Sequence, residues 1–401
     1  VEQMKEKKSV LYQYVLIAGI IVAAFNLRPA ITSVGPLIGM IRDQLELANW
    51  SAGLLTSLPL LAFAVMSPLV AKFSYRYSNE MVMFMGLLTL FLGISLRSVS
   101  VVLFVFAGTL CIGLGIAVCN VLLPSIIKEK FPTKVAWMTS LYSTAMGIFA
   151  ALASGVSVPI AEGLGLGWQM ALWIWAIPAL IGTVVWFYLT KREKMKRHVS
   201  YHGNSSGNER IWLSSLAWQV AGFMGFQSFL FYVTISWMPE ILQANEVSAS
   251  TAGWLLSFMQ FIGLPASFLV PVIAEKFRSQ QGLVLALGLF SVSGYAGLLF
   301  GGTFSIMVIS VILIGFSLSG TFALALTFLG MRAKTAKQAA YLSGMAQTLG
   351  YILAAFGPFL IGFIFDKTKN WDVPLVVLII VSVIVVTFGF GAGRDKYVFE
   401  K

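Results

Sequence analysis

The chain has 401 residues, 58% of them hydrophobic and only 11% charged, and its mean hydropathy is +0.87. Soluble domains carry about 25% charged and 45–50% apolar residues, so this composition excludes a soluble fold with one core and makes lipid the main solvent. The net charge of +11 is spread over short polar segments rather than gathered on one face, which excludes a nucleic-acid binder.

A spanning helix needs about 20 mostly apolar residues. In chain order such stretches cover 12–38, 50–71, 80–96, 101–127, 136–161, 168–190, 212–238, 248–273, 281–299, 304–329, 338–364 and 371–391. The first follows a short tail with Lys5, Lys7 and Lys8 and is too long for the apolar part of a signal peptide, so it reads as a retained helix. Within it, Pro29 and Pro36 cannot donate to the carbonyls of Phe25 and Thr32, which predicts a kink. Cys111 and Cys119 fall in the fourth stretch, eight residues apart. On a continuous helix that is roughly 12 Å, beyond the ~7 Å limit of a disulfide. The long polar interruption from Lys191 to Arg210 divides the chain near its middle.

These elements predict an all-α integral membrane protein of twelve transmembrane helices in two six-helix pseudo-repeats. The N-terminal bundle is expected over 1–190, a cytoplasmic linker over 191–211 and the C-terminal bundle over 212–401. Alternating sides from the N-terminus, 22 of the 27 lysines and arginines fall on the side of both termini, which places that side in the cytoplasm. Arg42, Arg97, Lys367 and Lys369 fall outside, and Arg28 within the membrane. Trp168, Trp237, Trp254 and Trp371, near helix ends, read as interfacial anchors. The halves share local sequence: Ser51-Ala52-Gly53 and Thr251-Ala252-Gly253 open the second and eighth spans, and Lys72-Phe73 and Lys276-Phe277 close them. Gly147 and Trp168 recur as Gly350 and Trp371. Such a repeat places a substrate site near the midplane, between the halves.

Nothing in the pattern is catalytic, and no cofactor or metal is called for. His198 and His202 lie in the linker without metal-ligand spacing, and there is neither a P-loop nor a serine–histidine–carboxylate set. The informative residue is Arg28, in Asn26-Leu27-Arg28-Pro29-Ala30. A charge at this depth costs about 2.5–3.5 kcal/mol on insertion scales and marks a functional site by default. Asp43, Glu240 and Asp366 stand at outer helix ends, so no fixed carboxylate is expected beside it. Its partner is then either an anionic or polar substrate or the carbonyls freed by the prolines, with Arg28 as a structural clamp. Asn26, Thr32, Asn120, Tyr142, Gln227, Gln260, Gln347 and Tyr351 also fall near span centres, where a polar side chain lines a pocket or bonds between helices. The small residues of 144–155 suit close helix packing.

Asn26-Leu27-Arg28-Pro29-Ala30-Ile31-Thr32-Ser33-Val34-Gly35-Pro36-Leu37 resembles the first-helix signature of the cyanate/2-nitroimidazole branch of the major facilitator superfamily. The stretch from Gly113 to Pro124 with Lys128, and that from Gln347 to Pro358, are similar to its fourth and eleventh helices. The resemblance implies a single-chain porter of the bacterial inner membrane, monomeric, moving small polar or anionic solutes by alternating access. It also implies that the eighth and eleventh helices, with Gln260 and Gln347, frame the cavity. Cyanate uptake and nitroimidazole efflux are the named activities of that branch. Between the second and third helices the chain departs from the superfamily pattern, with Ala71 at the usual aspartate place and Ser74 at the usual glycine place. With no embedded carboxylate or histidine, a proton relay has no carrier other than Glu240 at the outer end of the seventh span. Two other readings stay open: an exporter of neutral aromatic compounds with a pocket of Phe25, Phe149, Phe223 and Phe231, and a transporter-shaped sensor that moves nothing.

Overall fold

The computed structural model describes the backbone of residues 2–131, 135–193, 211–334 and 336–398. Side chains are described there except at 2–11, 67–68, 71–76, 125, 128, 135–136, 139–140, 143, 193, 336–337 and 339–341. The linker histidines, and the side chains of Ala71, Lys72, Ser74 and Arg76, therefore lie outside the described residues.

Among the described residues the chain is helical throughout, with twelve helices long and apolar enough to cross a membrane. The first span is broken twice. Helix α1 (Glu2–Asn26) ends before Arg28, a short turn α2 (Pro29–Thr32) follows, and α3 (Val34–Gln44) completes the crossing. The expected single kink is thus two breaks. Pro29 opens α2, where its missing N–H is no loss. The carbonyl of Thr32, which Pro36 cannot serve, accepts instead from Ser154 Oγ at 3.2 Å.

The next spans are α4 (Asn49–Arg76), α5 (Asn79–Arg97), α6 (Val102–Lys130) and α7 (Val135–Val158). A wide π-turn over Pro159–Gly163 ends α7. The sixth span is divided into α8 (Gly167–Trp173) and α9 (Ala176–Glu193). Six uninterrupted helices follow: α10 (Ser215–Gln243), α11 (Ala249–Lys276), α12 (Gln281–Phe300), α13 (Phe304–Met331), α14 (Ala336–Thr368) and α15 (Asp372–Ala392). Ser78, Ser214, Ser248 and Thr303 cap their helices by accepting from the backbone N–H three residues on. Cys111 and Cys119 are free thiols.

The first six spans pack mainly through α5 on α6 and α9 and through α4 on α6, the last six through α10 on α14 and α15 and α11 on α13. Between the two sets, α4 lies on α14, α7 on α11 and α3 on α10. The repeated tripeptides explain two of these seams. A Cβ at Gly53 would come 2.5 Å from the Pro358 carbonyl oxygen, and one at Gly253 3.2 Å from that of Ser154. The same glycine therefore lets the second span approach the eleventh and the eighth approach the fifth.

Two expectations about surface residues are corrected. Trp168, Trp237 and Trp371 are buried rather than interfacial. The indole N–H of Trp168 donates to Gln44 Oε1 at 2.5 Å and that of Trp237 to the Pro358 carbonyl at 2.9 Å. Trp371 packs against Phe365, rings tilted by 32° with centroids 4.4 Å apart. Trp254 alone of the four stays exposed. Arg97, expected in an outer loop, closes α5 and is only 1% exposed. Its side chain turns inward, and Nη1 donates to the carbonyl of Ala30 at 2.7 Å.

Candidate functional site

The break in the first span presents Arg28 sideways. It caps α2 with its backbone, while its own carbonyl accepts from the N–H groups of Ile31 and Thr32. The guanidinium is half-buried and lies over the Phe231 ring of α10, 5.1 Å from the centroid, a cation–π geometry. Its charge also reaches the hydroxyls of Tyr232 on α10 and Tyr351 on α14. Tyr142 of α7 lies near Tyr351. No carboxylate pairs with Arg28 among the described residues, and the guanidinium has no hydrogen bond to a carbonyl there. Of the two carbonyls that the prolines leave without a donor, that of Thr32 accepts from Ser154 Oγ rather than from Arg28.

Beside this cluster is a cavity of about 260 Å³ lined by Phe63, Ala117, Asn120, Val121, Pro124, Gln347 and Tyr351. It draws walls from the second, fourth and eleventh spans, so both sets of six contribute. Tyr351 joins it to Arg28, and Phe63 meets the Tyr351 ring edge-on at 5.4 Å. The amide of Gln347 donates to Ser343 Oγ at 2.8 Å, which leaves its oxygen for the cavity.

Of the nine polar candidates from the sequence, Arg28, Asn120, Tyr142, Gln347 and Tyr351 gather here. The other four bond between helices. Asn26 Nδ2 donates to the carbonyls of Val22 and Pro178, at 2.7 and 3.1 Å, tying α1 to the start of α9. Thr32 Oγ1 donates to Ala150 O at 3.0 Å, and Gln227 Nε2 to Leu318 O at 3.1 Å. Gln260 Nε2 donates to Ser154 Oγ at 2.8 Å, which joins α11 to α7 rather than opening onto the cavity. Asn26→Leu is therefore expected to lower thermal stability, by about 0.6–1.7 kcal/mol for interhelical bonds in a membrane, while ligand affinity stays within about twofold of wild type. Thermal unfolding beside a binding isotherm checks this.

The aromatic set divides as well. Phe25 and Phe149 stack on each other, centroids 3.8 Å apart, closing α1 on α7. Phe223 is fully buried against Phe328 at 5.6 Å and belongs to the packing of the last six spans, not to a pocket. Only Phe231 meets Arg28. Tyr232 was missed from sequence, although its place beside Phe231 on a span facing the first helix was a usable signal. Arg97 gave no signal, because its position at a helix end reads as loop.

The bundle end away from the termini is closed by a polar belt. Arg42 Nη1 donates to Glu240 Oε2 at 2.9 Å and to Asn49 Oδ1 at 2.8 Å. Asn49 Nδ2 donates to Asp366 Oδ1 at 2.8 Å, and the backbone N–H of Trp50 to Asp366 Oδ2 at 2.9 Å. The carboxylate of the eleventh span thus caps the N-terminus of α4, in the other half of the chain. Burial works against the charge on Arg42, but Asp43 and Glu240 outweigh it and hold its pKa above the ordinary value. Glu240, the one titrating candidate named from sequence, is a member of this belt.

Twelve crossings, a broken first helix and a half-buried cation between two packed sets of six define a polytopic membrane transporter. Comparison with known proteins agrees. Residues 18–236 and 217–397 match the Major Facilitator Superfamily, and the chain belongs to that family. It is 48% identical to the uncharacterized transporter YycB of Bacillus subtilis (strain 168), over 96% of this chain and 95% of the relative. It is 42% identical to the 2-nitroimidazole transporter of Escherichia coli (strain K12), over 95% and 96% of the two. A bacterial homolog of the human lysosomal transporter Spinster, solved inward-facing and occupied, superposes with a TM-score of 0.77 at 15% identity, covering 97% of this chain and 99% of that one.

Proposed function

We propose that the chain moves a small planar anionic or polar solute across the membrane by alternating access, and that Arg28 meets the solute's oxygens. One observation carries this reading: a guanidinium at mid-membrane, at the break of the first helix, with no carboxylate partner among the described residues. An anionic or strongly dipolar solute supplies the partner that the fold withholds. The adjoining cavity of about 260 Å³ is smaller than the ~300 Å³ at which pockets for drug-sized ligands begin, so it suits a solute of one ring or less. Its walls are apolar around Phe63, Val121 and Pro124, with Asn120, Gln347 and Tyr351 as polar contacts.

The relative named as a 2-nitroimidazole transporter supports this solute class. A nitro group, like a carboxylate, is a planar two-oxygen acceptor that the guanidinium fork fits. The distribution of lysine and arginine supports cytoplasmic termini, and the bacterial relatives support placement in a bacterial inner membrane. We take the working unit to be a monomer in which bundles 1–190 and 212–401 rock against each other.

Counterflow in proteoliposomes tests the reading. Labelled 2-nitroimidazole is expected to exchange, with unlabelled 2-nitroimidazole and imidazole-2-carboxylate competing and unsubstituted imidazole competing at least about tenfold less well. Equal competition by imidazole would show that the two-oxygen group is not what the protein recognises.

A further inference from the structure

A guanidinium carries five N–H donors. In Arg97, Nη1 donates to Ala30 O at 2.7 Å, and Nε and Nη2 have no acceptor among the described residues, although the residue is 1% exposed. Taking a guanidinium out of water without a carboxylate costs more than one charge-assisted hydrogen bond returns. Stability alone does not account for this residue, and a local rule broken at such cost points to function.

Its target matters more than its surroundings. Helices α5 and α6 cross so closely that a Cβ at Gly108 would lie 2.5 Å from the Arg97 backbone N. That crossing seats the last turn of α5 on α6, and the side chain reaches across to α2. Ala30 stands two residues after Arg28, inside a four-residue helix with a break at each end. A single turn has little rigidity of its own. On one side it is held by Thr32 Oγ1 on Ala150 O and by Ser154 Oγ on Thr32 O. On the other side it is held by Arg97.

We propose that Arg97 is a positioning residue for the substrate site. By holding Ala30 it fixes the attitude of α2, and with it the direction in which Arg28 points over Phe231, beside the cavity. This rests on the reading of Arg28 as the substrate contact, so the test includes one measurement that involves no substrate.

In a Cys111→Ser, Cys119→Ala background, the rate at which Arg28→Cys forms a mixed disulfide with a charged methanethiosulfonate, releasing methanesulfinate, reports where position 28 points. Gln347→Cys, in the cavity lining on α14, serves as the control. Adding Arg97→Met is expected to change the rate at 28 by about fivefold or more and that at 347 by less than about twofold. Arg97→Lys, which keeps one donor, is expected to restore the rate at 28. With Arg28 in place, Arg97→Met is expected to weaken imidazole-2-carboxylate binding about tenfold, and Arg97→Lys less than about threefold. If Arg97→Met does not accumulate, Arg97→Gln is held to the same two criteria. An unchanged rate at 28, or a change at 28 and 347 alike, overturns the positioning role. Should the unmodified protein bind no imidazole-2-carboxylate, the substrate reading falls, and the thiol-labelling rates still decide Arg97.

Discussion

Arg28→Ala is expected to abolish recognition of imidazole-2-carboxylate and 2-nitroimidazole while leaving the protein at least as stable as wild type. The two halves of that result have one cause. Hydrogen bonds to a charged group are worth about 1.5–3 kcal/mol each, so losing a two-pronged contact weakens binding by at least a hundredfold. Without substrate the same guanidinium has a cation–π contact with Phe231 as its compensation and carries the ~2.5–3.5 kcal/mol cost of a charge at that depth. Removing it relieves that cost. Isothermal titration and a melting curve on one preparation check both halves. A melting temperature lowered along with affinity would mean that Arg28 holds the first helix together and that the binding loss is secondary.

The second large effect is expected at Asp366. Asp366→Ala removes the acceptor for Asn49 Nδ2 and for the N–H of Trp50. These bonds join α14 to the N-terminus of α4 only when this end of the bundle is closed. Their loss destabilises the closed state by about 2–3 kcal/mol, a shift of about 30- to 150-fold toward opening. Spin labels at Ala48 and Asn370 should show a longer distance population in the variant that is minor in wild type. Glu240→Gln, which leaves Arg42 bonded to Asn49 and Asp43, is expected to shift the same population less. An unchanged distance distribution in Asp366→Ala would mean that backbone packing, such as Gly53 on Pro358, closes this end without the belt.

The fold was legible in the sequence because lipid imposes a simple rule: each crossing needs its own apolar run, and each run left its mark. The glycine of Ser51-Ala52-Gly53 and of Thr251-Ala252-Gly253 also told the truth about symmetry, since both serve seams between the two sets of six. The site was only partly legible. Arg28 stood out because charge inside a span is expensive, but Asn26, Thr32, Gln227 and Gln260 looked equivalent to Asn120 and Gln347. Depth along a helix is readable from sequence, whereas rotation about it depends on which neighbour packs where. The low amphipathicity of spans apolar on all sides gives no face to read. Arg97 shows the same limit from the other direction. Its position at a helix end said loop, whereas the side chain turns inward onto the carbonyl of Ala30 in another span, a contact that no local pattern shows.

The most direct test of the central claim is a structure with 4-iodobenzoate bound, a one-ring carboxylate whose iodine locates the ring independently. The ring is expected in the cavity of Phe63, Asn120, Gln347 and Tyr351, with the carboxylate about 3 Å from the guanidinium of Arg28. A ligand bound elsewhere, with Arg28 still over Phe231 and its guanidinium unengaged, would contradict it.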